Sequence, residues 1–358
     1  MSLATYKNAA GFSAEKIELL EKDFAGLNES GSDLAERALR YVIDGDDANV
    51  LDALSKAHEP ALQLRLVQTL RTYQAHRPAS EARDRFFADI DAVGFEPYLR
   101  LAKVYEAAAK GGPPVPLPFQ AYYAGLPWLE LFVQEIWVRE RGGKKPAFPI
   151  SILEEMLAAE GQDSALLMKT VFSVKPQDHF RALPVTTIKS LSGFRDGIAK
   201  HHVVVAEAIV HADASRKVEL LDILSEQQIV AGPFVRELAL LAISGAKKVR
   251  EAALPLLKHA RDEARPLIEQ AAVNGTPAER VQAIRWLGRF AGEAAREFLL
   301  ARQQVEKGAK LKEAISEALG EVRKGVAPVQ DDVASPRPAL PHIETVVPLS
   351  ASARQAVA

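Results

Sequence analysis

The sequence predicts an all-α protein whose later part is a right-handed solenoid of stacked helical pairs, irregular before Pro118. Three observations carry that expectation. A basic residue, then Ala three places on and a large aliphatic seven places on, recurs as Arg236, Ala239 and Ile243, as Arg250, Ala253 and Leu257, and as Arg280, Ala283 and Leu287. Offsets of three and seven fall on one helical face, so each set marks one face of one helix. The second and third sets start thirty residues apart, room for two short helices and two turns, which is the period of a helical-pair solenoid. Sustained period-two alternation bounded by hairpin turns is absent, which argues against a sheet.

Ser13 is placed to cap a first helix whose Ile17, Leu20 and Phe24 share a face, with Gly26 after the last turn. Ser32 opens a second, striped by Leu34, Ala38, Leu39 and Val42 and ended near Gly45. Asp46-Asp47 suits the capping of a third at 47–57. Further amphipathic stretches run over 60–75, 80–93 and 97–109. The run from Gly111 to Pro118 holds four prolines in its last six residues and reads as an extended connector.

After it, Phe119, Tyr122, Tyr123, Trp128, Phe132 and Trp137 crowd one segment, 119–139. Trp128, Phe132 and Ile136 are spaced by four and make a single stripe. Its plainest reading is the core helix of the middle region. The alternative is an exposed aromatic groove for a partner helix or peptide, which makes Trp128, Phe132 and Trp137 candidate partner-binding residues. A hinge at 142–146 precedes helices at 151–160 and 164–172. Pro176 and Pro184 are expected to break the chain into short pieces, and one long helix is expected over 194–211.

The regular pairs begin near Ser215, where Lys217, Leu220 and Leu224 give a fainter version of the rule, and Lys312, Ile315 and Leu319 give another. Beyond Arg323, five prolines interrupt a stretch with no helical or strand period. Residues 349–358 read as a new helix, too short to be stable alone, so the chain is expected to be the front of a longer protein or to pack its tail on itself. The expected organisation is an irregular helical region over 1–112, an aromatic-rich helical middle over 113–214, repeats over 215–324 and a Pro-rich linker or tail over 325–358.

The repeats resemble HEAT or armadillo-type units, whose second helix opens with Val-Arg, then Ala, then an aliphatic and Gly. Here those are Val249-Arg250, Ala253 and Leu257; Arg280, Ala283 and Leu287-Gly288; and Val235-Arg236, Ala239, Ile243 and Gly245. The resemblance covers about 215–324. Small Ala lets helices approach, while Arg lays its stem along the stack and bonds exposed carbonyls or a turn carboxylate. The family's turn usually carries Asp before Val-Arg, where this chain has Ala246 and Lys247. More loosely, the layout resembles the N-terminal part of large bacterial MolR-like proteins, with degenerate helical pairs, a Pro-rich linker and a restart at Pro348-Leu349-Ser350-Ala351-Ser352-Ala353-Arg354.

Composition sets the other bounds. The chain has no cysteine and a formal net charge of −2, which removes disulfides and thiolate metal sites and gives no global pull toward nucleic acid or membrane. The start lacks a basic segment followed by an apolar core, and no apolar run is long enough to span a bilayer. A cytoplasmic protein is expected.

No catalytic signature stands up. Gly143-Lys144 lacks the first Gly of a phosphate loop and has Lys145 where Ser or Thr is needed. Ser13-x-x-Lys16 has no Lys-Thr-Gly partner. Of His201, His202, Glu207 and His211, only Glu207 and His211 have the i, i+4 spacing for shared metal ligation, and nothing completes the set. No metal and no cofactor are expected. The expected function is a non-enzymatic scaffold that binds a protein partner or another domain of a longer chain. The alternative is a nucleic-acid-binding HEAT-like module whose concave face is lined by Arg250, Arg280, Arg285, Arg289 and Arg296, with Trp286 as a stacking surface. Of these arginines, Arg250, Arg280 and Arg285 join the three aromatics as candidate binding residues. An enzyme would need a deep pocket with at least two convergent titratable groups.

Overall fold

Short helices follow one another through the whole of the described chain. The structure, a computed structural model, describes residues 6–25, 27, 33–57, 85–87, 93–111, 126–138, 148–173 and 179–324. Within these, the side chains at 134, 137–138 and 179–184 lie outside the description. So do Gly26, Ser32, the expected helix at 60–75, most of that at 80–93, the connector at 113–118, Tyr122, Tyr123, the hinge at 142–146 and everything after 324. The chain divides into two units, Met1–Gln282 and Ala283–Ala358. Among the described residues every regular element is helical, apart from one isolated bridge between Pro149 and Ser192.

The first unit opens with α1 (Ala14–Phe24), α2 (Leu34–Asp44), α3 (Val50–Lys56) and α4 (Glu96–Gly111). The Ser13 side chain accepts from the Lys16 amide, as a cap should. Gly45 ends α2 in the left-handed region, φ 79°, donating to the Tyr41 carbonyl. Asp46 and Asp47 do not cap α3. Asp47 stands at φ 62°, a turn that swings its carboxylate onto Arg37 at 2.7 Å, and Asp46 pairs with Lys7 at 3.0 Å. The hydrogen bond from Arg37 holds the Asp47 carboxyl below the usual carboxylate range.

Next come α5 (Pro127–Val138), α6 (Ile150–Ala159), α7 (Leu166–Ser173), α8 (His179–Ser190), α9 (Phe194–Lys200) and α10 (His202–His211). Contrary to expectation, α8 runs through Pro184. A proline there, having no N–H, forfeits the one hydrogen bond it would donate to the carbonyl of residue 180, and the turns on either side carry the helix past it. The single helix expected over 194–211 is instead two. His201, at φ −105° and ψ 30°, leaves the helical region and turns its ring onto Glu154 of α6.

The unit continues through α11 (Ala214–Glu226), α12 (Val235–Ala242), α13 (Lys247–Leu256), α14 (Arg261–Asn274) and the start of α15 (Pro277–Trp286). Here α11 packs on α13, and α12 packs on both α13 and α14. Helix α12 thus meets both the next helix and the one after it, while α11 reaches past α12 to α13. The recurring side chains fit these contacts: Ala239 and Ile243, and Ala253 and Leu257, are all buried; Ala283 and Leu287, in the second unit, are buried as well.

In the second unit a π-helical turn, Leu287–Ala291, and a 3₁₀ turn, Gly292–Ala295, lead into α16 (Arg296–Val305) and α17 (Ala309–Arg323). A Cβ at Gly288 would lie 2.6 Å from the Ala318 backbone, so only glycine lets the π turn sit this close to α17.

Candidate functional site

An open cleft of about 520 Å³ lies in the first unit where α7, α10 and the start of α11 meet. Its apolar lining comes from Phe172 at the end of α7 and from Val204, Ala208 and Ala212 along α10. Outside the cleft lining, the same helix leaves Val203 57% exposed and Val210 45% exposed. Seven residues apart, these two valines share the outer face of α10.

The polar lining is held by the chain itself. Arg216 is only 8% exposed; its guanidinium donates to the Val171 carbonyl of α7 and to Glu219, both at 2.8 Å. Asp213 caps α11, accepting from the Arg216 amide at 2.8 Å. Lys169 pairs with Asp163 at 2.5 Å. The Lys169 hydrogen bond and the Ala165 amide hold the Asp163 carboxyl below its ordinary value, helped by the nearby positive charge of Lys169. Deeper in, Glu154 is 5% exposed and takes Lys200 at 2.5 Å and His201 Nε2 at 2.9 Å, tying α6 to the α9–α10 junction.

Two titratable side chains of the cleft remain directed outward. Glu207 is exposed and makes no ion pair among the described residues. His211 bonds through Nδ1 to the Glu207 carbonyl at 2.8 Å. A carbonyl only accepts, so Nδ1 is the donor of this bond. The two stand one turn apart on one helix. Among the described residues no group of three or more His, Asp or Glu is placed to hold a metal ion.

The residues singled out in the sequence fall elsewhere. Trp128 is 2% exposed with Lys103 over its ring at 5.4 Å. Phe132 is fully buried, its ring centroid 5.5 Å from those of Phe87 and Phe148. With Ile136 also buried, the stripe is core, and Trp128 and Phe132 present no groove. The side chain of Trp137 lies outside the described residues.

The arginines do local work. Arg250 donates to the carbonyls of Ser244 at 2.6 Å and Gly245 at 3.0 Å. Arg280 Nε donates to the Ala272 carbonyl at 3.1 Å. Arg285 meets Glu317 at 3.5 Å, Arg296 meets Glu293 at 3.0 Å, and Arg289 lies over the Phe290 ring. Trp286 is buried beside Leu287 and is no stacking surface.

Sequence reasoning passed over Phe172, Lys169 and Arg216. The available signal was α10 itself, HVVVAEAIVH, which has more apolar residues than one buried face can hide. Among the described residues no helix is long and apolar enough to cross a membrane. No family model, curated protein or solved structure matches the chain.

Proposed function

We propose that this chain is a HEAT-like helical-pair solenoid that acts as a non-enzymatic scaffold, holding a protein partner or another domain of a longer chain. The observation that carries this reading is the outer face of α10, where Val203 and Val210 stand in water beside an open, apolar-walled cleft. Exposed aliphatics that adjoin a concave apolar surface favour association, because covering them removes apolar area from water. The packing of α11 on α13 and of α12 on α13 and α14 supports the repeat arrangement. The titratable groups of the cleft support the non-enzymatic part, since Lys169, Asp213 and Arg216 are engaged by the fold and Glu207 and His211 project from one helix.

The nucleic-acid alternative is weaker. Arg250 and Arg280 bind backbone carbonyls, and Arg285 and Arg296 are paired with carboxylates. Two experiments test the proposal together. Immobilised wild-type chain should retain a protein that a Val203→Lys/Val210→Lys double variant of equal thermal stability does not. Titration against short labelled DNA at low salt should show no binding. Equal retention by both chains, or tight DNA binding that falls steeply with salt, would overturn the proposal.

A further inference from the structure

We infer that the cleft between α7, α10 and α11 takes a partner segment that presents an aliphatic side chain beside a lysine or arginine. This rests on the scaffold reading and assigns the chemistry of what the scaffold holds. The charges of the lining are unevenly matched. Lys169 is neutralised by Asp163 at 2.5 Å, and Arg216 by Glu219 at 2.8 Å, with its remaining reach directed to the Val171 carbonyl. Asp213 faces the N-terminus of α11, whose partial positive charge answers it. Glu207 has no such counterpart among the described residues and stands exposed on the α10 wall.

The backbone adds to the same sign. Ser173 ends α7 and His211 ends α10, and both line the cleft. Each helix therefore turns its C-terminal end, with its partial negative charge, toward the bound segment. The apolar part of the wall, Val204 and Ala208, lies on the same helix as Glu207. An aliphatic side chain can fill the space over these residues while a neighbouring lysine or arginine lays its stem along the wall and brings its head to Glu207. An acidic segment would meet an unbalanced carboxylate and two helix C-termini.

The test is selection of a displayed library of short helical peptides on the full chain, run in parallel on wild type and Glu207→Lys. Ala208→Trp, which fills the cleft, serves as counter-selection, with Val204→Lys as a second block if Ala208→Trp folds poorly by circular dichroism. The expected result is binders lost on the blocked variants that carry Lys or Arg beside an aliphatic on wild type, and Asp or Glu at that position on Glu207→Lys. Replacing the basic residue of such a peptide by Ala should weaken binding about threefold at low salt, and less at high salt. Cleft-dependent binders with no basic preference, or with the same preference on both chains, overturn this inference and leave the scaffold reading standing. The absence of any binder sensitive to the blocks also overturns it, and the fate of the scaffold reading is then read separately from retention by the Val203→Lys/Val210→Lys chain.

Discussion

Helices α5 and α10 are both rich in apolar residues, yet the fold treats them differently. In α5, Trp128, Leu129, Leu131, Phe132, Val133 and Ile136 are all buried, because rings of neighbouring segments (Phe87, Tyr98 and Phe148) close over Phe132. In α10, Val205 and Ile209 face inward while Val203 and Val210 stay in water. Apolar content alone therefore does not say whether a helix is core. What decides is how many neighbouring elements supply side chains to cover it. A helix with apolar residues left over after its neighbours are satisfied presents a surface that another molecule can cover.

The comparison can be broken most directly at its buried end. Phe132→Ala should cost about 3–5 kcal/mol by removing a ring and leaving a cavity, measured as a fall in the urea midpoint. A near-neutral result would mean that α5 is not the core helix described. The next effect concerns close helix contact. Ala253→Leu should overpack its layer by about 1–3 kcal/mol, and Gly288→Ala should cost at least as much, because the new methyl would meet the Ala318 backbone. Unchanged thermal midpoints for both would contradict the packing. At the exposed end, Val203→Lys/Val210→Lys should change stability by less than about 0.5 kcal/mol per site, so a large loss would show these valines to be core.

The smallest effect is electrostatic. Asp163 has a folded-state pKa depressed below its unfolded value of about 3.9. It thus contributes stability that is present above that value and lost as pH falls through the folded one. The stability difference between wild type and Asp163→Asn should be flat near neutrality and shrink below about pH 4. A difference that grows toward low pH would put the sign wrong. The contribution is modest, since the Asp163 carboxylate and Lys169 are each about half exposed.

Sequence periodicity made the helices legible, and with them the buried Ala and aliphatic positions of the recurring rule, since local spacing alone sets which residues share a face. Its reading of the stripe at Trp128, Phe132 and Ile136 as a core helix agrees with the structure, and the alternative of an exposed groove does not. Spacing by four shows that residues lie together but not what lies opposite them. The break at His201 was hidden because its cause, Glu154, sits 47 residues away on α6. The cleft was hidden for a similar reason. Arg216 and Val171 are far apart in the chain, and Lys169, Glu207 and Asp213 form no motif.

The bonds of Arg250 carry a consequence for how freely the turn before α13 can vary. Its guanidinium is bound by the carbonyls of Ser244 and Gly245 and not by a side chain. Every amino acid brings a carbonyl, so this turn can exchange Ser244, Ala246 or Lys247 for other residues and still receive the arginine. A residue gained or lost would instead shift both acceptors away from the one nitrogen, Nη1, that reaches them. The length of this turn is fixed while its spelling is free.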